Sequence, residues 1–127
     1  MNPLVNHYNR DTVLSASPEK LVVMLYDKAL RNLNHALKCH DQNEWGQFGL
    51  NLGKAQAIVA ELLNSLDHEA GGEISKNLEK LYLFVIDRLI QANLKKDCGM
   101  IRESIDVLKN LKEGFDHAVR QTCGAIA

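Results

Sequence analysis

The residues with the greatest chemical capacity lie close together near position 40. His35, Lys38, Cys39 and His40 stand within two turns of a helix-forming stretch. His35 and Cys39 are four apart, so on a helix they share a face. An imidazole beside a thiolate is a zinc-ligating pair, but a metal site needs further ligands from elsewhere. Without such ligands the cluster reads as solvated side chains. His35-Ala36-Leu37-Lys38 offers a second chemistry. An exposed histidine can take a phosphoryl group, and a lysine one turn on can offset its charge. A third arrangement, the di-metal carboxylate site of helical bundles, requires Glu-x-x-His on two helices. That motif is absent, since Glu113 and His117 are four apart and Glu113 flanks the apolar stripe. Cys39, Cys98 and Cys123 are odd in number and widely separated, which reads as three reduced thiols and not a disulfide framework. Nothing pairs a nucleophile with a base or cradles a phosphate in a glycine loop. The residues alone specify no catalytic constellation and no cofactor.

The elements that would carry these residues are helices. Ser17 stands at an N-cap position, Pro18 at the first helical position and Glu19 at the positive end of the helix dipole. The spacing predicts a first helix over about 18–39, with Val22, Tyr26, Ala29, Leu33, Ala36 and Leu37 as its stripe. His40 to Asn43 makes a turn, with Asp41 or Asn43 as the next cap. A second helix runs to about Leu66, with Trp45, Phe48, Leu52, Ala55, Val59, Leu62 and Leu66 alternating steps of three and four. Gly46, Gly49 and Gly53 in its first half either admit a close backbone or are tolerated weak points. Asp67 to Gly72 breaks the pattern. A third helix follows over about 73–94, with Ile74, Leu78, Leu81, Val85, Leu89 and Ala92 on one face and Leu83, Ile86, Ile90 and Leu94 on another. A fourth spans about 98–119, with Ile101, Ile105, Leu108, Leu111, Phe115 and Ala118 inward. The expected fold is all-α: an antiparallel up-down four-helix bundle over 17–119, with a mobile N-terminal arm over 1–16 and a frayed C-terminal tail over 120–127.

The totals agree with one small domain. The chain has 127 residues and a formal net charge of −1, so it carries no electrostatic footprint for nucleic acid. No apolar run approaches the roughly 18 residues of a membrane span. The N-terminus lacks a basic start followed by an apolar core, which predicts a cytoplasmic protein.

The first helix opens with more apolar surface than one stripe needs. Leu21, Met24 and Leu25 form a second apolar face over its first two turns, and the third helix is apolar over much of its circumference. Surplus of this kind means a partner helix or self-association, unless a broad core absorbs it. Tyr82 has the same two readings, core or bundle edge.

The order of short motifs along the chain resembles the flagellin export chaperones, the flagellar secretion chaperone family. The resemblance begins at Tyr8 and runs through Val13-Leu14-Ser15-Ala16-Ser17-Pro18-Glu19-Lys20-Leu21 and Met24-Leu25-Tyr26-Asp27. It continues at Lys54-Ala55-Gln56, Glu61-Leu62, Leu66-Asp67, Gly71-Gly72-Glu73-Ile74, Asn77-Leu78, Leu81-Tyr82, Arg88-Leu89 and Ala92-Asn93, and ends with Lys96-Asp97 and Gly99-Met100. Departures are Ser15 for a threonine, Lys28 for a glycine, Asp11 for an asparagine, Phe84 for a tyrosine and Phe115 for a tryptophan.

The resemblance implies a cytoplasmic, non-enzymatic chaperone without ATP or another cofactor. It would bind the C-terminal segment of newly made flagellin, prevent premature polymerisation and deliver the subunit to a flagellar export gate component. Tyr8, Leu21, Met24, Leu25, Leu83, Ile86 and Ile90 are the expected flagellin-binding residues, and Leu4, Val5 and Tyr8 the part of the arm that shields the cleft. A co-chaperone or regulator sharing the surface, and a homodimer formed by swapping the arm, stay open. Two other functions are carried beside this one. His35 to Lys38 resembles the core of histidine phosphotransfer domains, giving a signalling bundle using His35, and the apolar surplus alone would suit a helix-binding adaptor.

Overall fold

The computed structural model describes residues 18–126, with side chains over 18–117. Four helices follow one another: α1 (Pro18–Asp41), α2 (Trp45–Asn64), α3 (His68–Lys95) and α4 (Cys98–Ile126). They pack antiparallel, each helix against the next, and α4 closes the ring against α1. The α1–α2 interface is the most extensive. The arm over 1–16, the Ser17 cap and the side chain of Ala118 lie outside the described residues.

Short links work because each turn satisfies its own backbone. Between α1 and α2 the amide of Glu44 donates to the Cys39 carbonyl at 2.9 Å, and that of Asn43 to the His40 carbonyl at 3.1 Å. Neither Asp41 nor Asn43 caps α2: Glu44 holds the cap position without a side-chain bond. Asn43 instead takes a left-handed φ of 57°, which its short polar side chain tolerates. Between α3 and α4, Lys96 adopts the left-handed cap conformation and the Asp97 amide donates to the Ala92 carbonyl at 3.1 Å. The Asp97 carboxylate then accepts from the Gly99 amide at 2.8 Å, capping α4.

The break expected over 67–72 is narrower than its composition suggests. Asp67 accepts from the amides of Glu69 and Ala70 at 3.1 Å each, so α3 begins at His68. The irregularity is confined to Gly72, whose φ of 53° and ψ of −128° kink the helix. The Ser75 hydroxyl donates to the Asp67 carbonyl at 3.0 Å, and His68 meets Glu79 at 2.8 Å, tying the first turn to the rest of the helix. At the other end of the chain, the residues expected to fray continue as helix to Ile126.

The core is built from one stripe per helix. Leu33 and Ala36 of α1, Phe48, Leu52 and Val59 of α2, Val85 and Leu89 of α3, and Ile101 and Leu108 of α4 are all closed to solvent. Each large aliphatic or aromatic side chain so placed contributes roughly 1.5–3 kcal/mol. Across the middle, Tyr26 of α1 and Tyr82 of α3 hydrogen-bond hydroxyl to hydroxyl, their ring centroids 6.5 Å apart. Phe115 of α4 packs on Tyr26 at 5.6 Å. Burial is the first cause that pushes the Tyr26 hydroxyl far above the ordinary tyrosine range, with the charge and hydrogen bond of Tyr82 adding to it. Burial raises Tyr82 as well, against a smaller lowering by its bond to Tyr26.

Two expectations follow from this pair. Tyr26→Phe or Tyr82→Phe leaves a buried hydroxyl without its partner and should lower stability by about 1–3 kcal/mol, whereas the double substitution should cost less than the sum of the two. Urea unfolding of the four proteins measures this. Because the folded-state pKa values are raised, the stabilising contribution is complete below the ordinary value near 10 and is lost as pH rises above it. Unfolding midpoints should therefore fall above about pH 10, and less steeply in the double phenylalanine variant.

Candidate functional site

The groups that promised chemistry are dispersed. Cys39 is buried, while His35 and Lys38 face solvent. His40 turns away from both: its Nε2–H donates to the Lys96 carbonyl at 3.0 Å, and its ring meets Trp45 edge-on at 5.1 Å. Among the described residues no group of three or more His, Cys, Asp or Glu is placed to hold a metal. Cys39 and Cys98 are free thiols. The Lys96 ammonium lies 5.1 Å from the Trp45 ring centre, so the cluster at this end is a stacked joint between two turns, with Trp45 left 38% exposed instead of seated in the seam.

Exposed apolar surface is the more unusual feature, and α3 carries most of it. Its inward stripe is Ser75, Leu78, Tyr82, Val85, Leu89 and Ala92, in steps of three and four. Leu78, Val85, Leu89 and Ala92 of the expected face point inward, and at the other two positions Ser75 and Tyr82 are buried in place of Ile74 and Leu81. Tyr82 is core because its hydroxyl finds Tyr26. Ile74, near the kinked end, is 73% exposed, and Leu81 sits at the edge. The polar tips of Ser75 and Tyr82 hid the regular spacing that would have found them.

Two apolar flanks result. Arg88, 3.4 Å from Glu103 of α4, marks one; its guanidinium covers Phe84 at 5.0 Å, with Leu81 beside it. Below them a groove of about 350 Å³ runs between α3 and α4, lined by Ile74, Leu78, Leu111, Gly114 and Phe115. The other flank faces α2, where the side chain of Asn93 approaches the bare Cα of Gly49. A Cβ at Gly49 would stand 3.5 Å from it, an ordinary contact, and one at Gly46 or Gly53 would meet nothing, so none of the three admits a close backbone and all read as tolerated weak points. Along this flank lie Leu83 and Ile90, 49% and 39% exposed, half-buried Ile86, and Leu94. Their spacing of three, four and four keeps them on one side of the helix.

The expected residues of α1 behave differently. Leu21 and Met24 are half-buried. Leu25 is core at 1% exposure and so is not part of an open apolar face: it lies next to Tyr26 around the helix, on the flank that α2 covers. Since α1 and α3 are diagonal in the ring, the α1 and α3 sets do not share a groove. Tyr8, Leu4 and Val5 lie outside the described residues.

An all-helical bundle with a chemically empty interior and an apolar α3 surface is the form to compare with known proteins. The family model described as flagellar protein FliS matches residues 1–122. The chain belongs to the FliS family. The flagellar secretion chaperone FliS of Salmonella typhimurium is 41% identical over 104 residues, spanning 81% of this chain and 77% of that protein. Its counterpart in Vibrio cholerae is 37% identical over 107 residues, spanning 84% and 79%. That of Campylobacter jejuni is 35% identical over 114 residues, spanning 90% and 89%. Membership in FliS, a non-enzymatic chaperone family, sets aside the phosphotransfer reading of His35.

If α3 carries open apolar surface, charging it should be harmless to the fold. Leu83→Glu with Ile90→Glu should lower the fluorescence of a bound apolar dye while circular dichroism keeps its helical amplitude. The change in unfolding free energy should stay near 0.5 kcal/mol per site, since neither side chain is core.

Proposed function

We propose that this protein holds the C-terminal segment of newly made flagellin in the cytoplasm, keeps it from polymerising, and passes it to a component of the flagellar export gate. Two supports combine. The relatives are flagellar secretion chaperones, and the chain matches their family model almost throughout. The observation carrying the residue-level reading is the row of exposed Leu83, Ile90 and Leu94 with half-buried Ile86 among them.

The physical fit is direct. A segment that folds only on binding loses roughly 1–2 kcal/mol of backbone entropy per ordered residue. Its apolar face must therefore be covered over several turns. A row spaced as on α3 spans about three turns and takes the apolar face of an amphipathic helix laid alongside. Leu21 and Met24 of the first helix, with Tyr8 of the arm, form a second contact separate from the α3 row, and the buried Leu25 supports Leu21 and Met24 from within. The N-terminal arm, through Leu4, Val5 and Tyr8, shields this surface until flagellin displaces it. An arm that exchanges between copies would give a dimer, and a co-chaperone or regulator would compete for the same apolar residues. No part of this cycle calls on a cofactor.

Calorimetric titration of the flagellin C-terminal segment into the whole protein tests the reading. Saturable one-to-one binding with a negative heat-capacity change is expected. Ile86→Asp should weaken it by about tenfold or more with helix content intact. Unchanged affinity in that variant would remove α3 from the binding surface. Deleting residues 1–12 should raise both flagellin affinity and dye binding, and if neither moves the arm is no shield.

A further inference from the structure

The apolar row of α3 is interrupted by an amide. Leu83, Ile86 and Ile90 are spaced by three and four, and the next step of three reaches Asn93. Asn93 is seven residues on from Ile86, so the two lie within about 20° of one line along the helix. That line is the edge of α3 nearest α2, since the Asn93 side chain reaches Gly49. Leu94, beside it, is 73% exposed.

The facing part of α2 has no side chain to pair with this amide. Asn93 Oδ1 and Nδ2 lie 3.5 and 3.9 Å from the place a Cβ on Gly49 would take, so both polar atoms stand over a bare residue. The adjoining turns of α2 carry Gly46 and Gly53, bare as well. Asn93 is exposed, and among the described residues its amide has no hydrogen-bond partner. Solvent satisfies it in the free protein. A helix laid along the row removes that solvent, and an amide then buried without a partner weakens the complex by about tenfold or more.

Aliphatic contacts are non-directional, so Leu83, Ile86 and Ile90 supply area but little choice of alignment. A single asparagine in an apolar helix seam does supply one, because one register pairs it and the others do not. Taking flagellin as the cargo, and resting on that reading, we propose that Asn93 sets the register of the bound segment. It selects a helix whose apolar seam carries an asparagine or glutamine, placed two turns along from the side chain that packs beside Ile86. The two amides then donate and accept in both directions. In other alignments the Asn93 amide is buried against an apolar side chain.

The test is a double-mutant cycle between the whole protein and the flagellin C-terminal segment, read by calorimetry. The segment is made in its natural form and as a set in which each asparagine or glutamine is replaced singly by leucine. Asn93→Leu should weaken the natural segment by about tenfold, yet bind one member of the set at least as tightly as the wild-type protein binds the natural segment. Urea unfolding of Asn93→Leu alone should match the wild type, because the residue is exposed and makes no hydrogen bond to lose. The side-chain amide signals of Asn93 should shift saturably when the natural segment is added to the wild type. A set in which no member regains affinity for Asn93→Leu overturns the proposal. So does a natural segment that binds Asn93→Leu as well as it binds the wild type. In both cases the flagellin reading survives if the wild type binds and Ile86→Asp weakens it. A natural segment that the wild type does not bind removes both.

Discussion

The hydrogen bond between Tyr26 and Tyr82 is the constraint on which the rest of the bundle depends. It joins two helices that are diagonal in the ring, so it fixes their rotation as well as their distance. Each hydroxyl satisfies the other in a place where water does not reach, and neither is replaceable alone without leaving a buried polar group. Phe115 packs against the same ring and brings the distal half of α4 into register. Surface ion pairs such as Lys112 with Asp27 at 2.5 Å follow this arrangement and do not determine it.

Fixing the rotation of α3 also fixes what α3 shows to solvent. With Tyr82 inward, Leu83 is turned away, and Ile90 and Leu94 follow it at helical spacing. An apolar surface of this kind marks an interaction site or an aggregation liability. The buried tyrosine pair and the exposed aliphatic row are thus two consequences of one helix phase. The chemically active residue types, by contrast, are placed for packing: His40 joins two turns through Lys96 and Trp45, and Cys39 fills core.

Much of this was readable from the order of residues, and the exceptions have definite causes. The four helices and their links were legible because three-four spacing is sustained and the breaks are polar or glycine-rich. On the inward face of α3, Leu78, Val85, Leu89 and Ala92 follow from the spacing, whereas hydropathy favours Ile74 and Leu81 over Ser75 and Tyr82, whose hydroxyls find partners in the core. Leu25 was assigned to the surface because sequence does not say which flank a neighbouring helix will cover. The start of α3 was placed late because a Gly-Gly pair signals a turn, yet Asp67 caps a helical turn ahead of Gly72 and the irregularity shrinks to one kinked residue.

Flagellin held along the outward row of α3, and not within the tyrosine-pinned interior, would leave its mark on those side chains. Cross-saturation NMR on methyl-labelled protein bound to the protonated flagellin C-terminal segment measures this at each side chain. The methyl groups of Leu83, Ile86, Ile90 and Leu94 should lose intensity, while those of Leu33, Val59 and Leu89 keep theirs. Saturation confined to other helices, with the α3 row untouched, would place the bound segment elsewhere on the bundle.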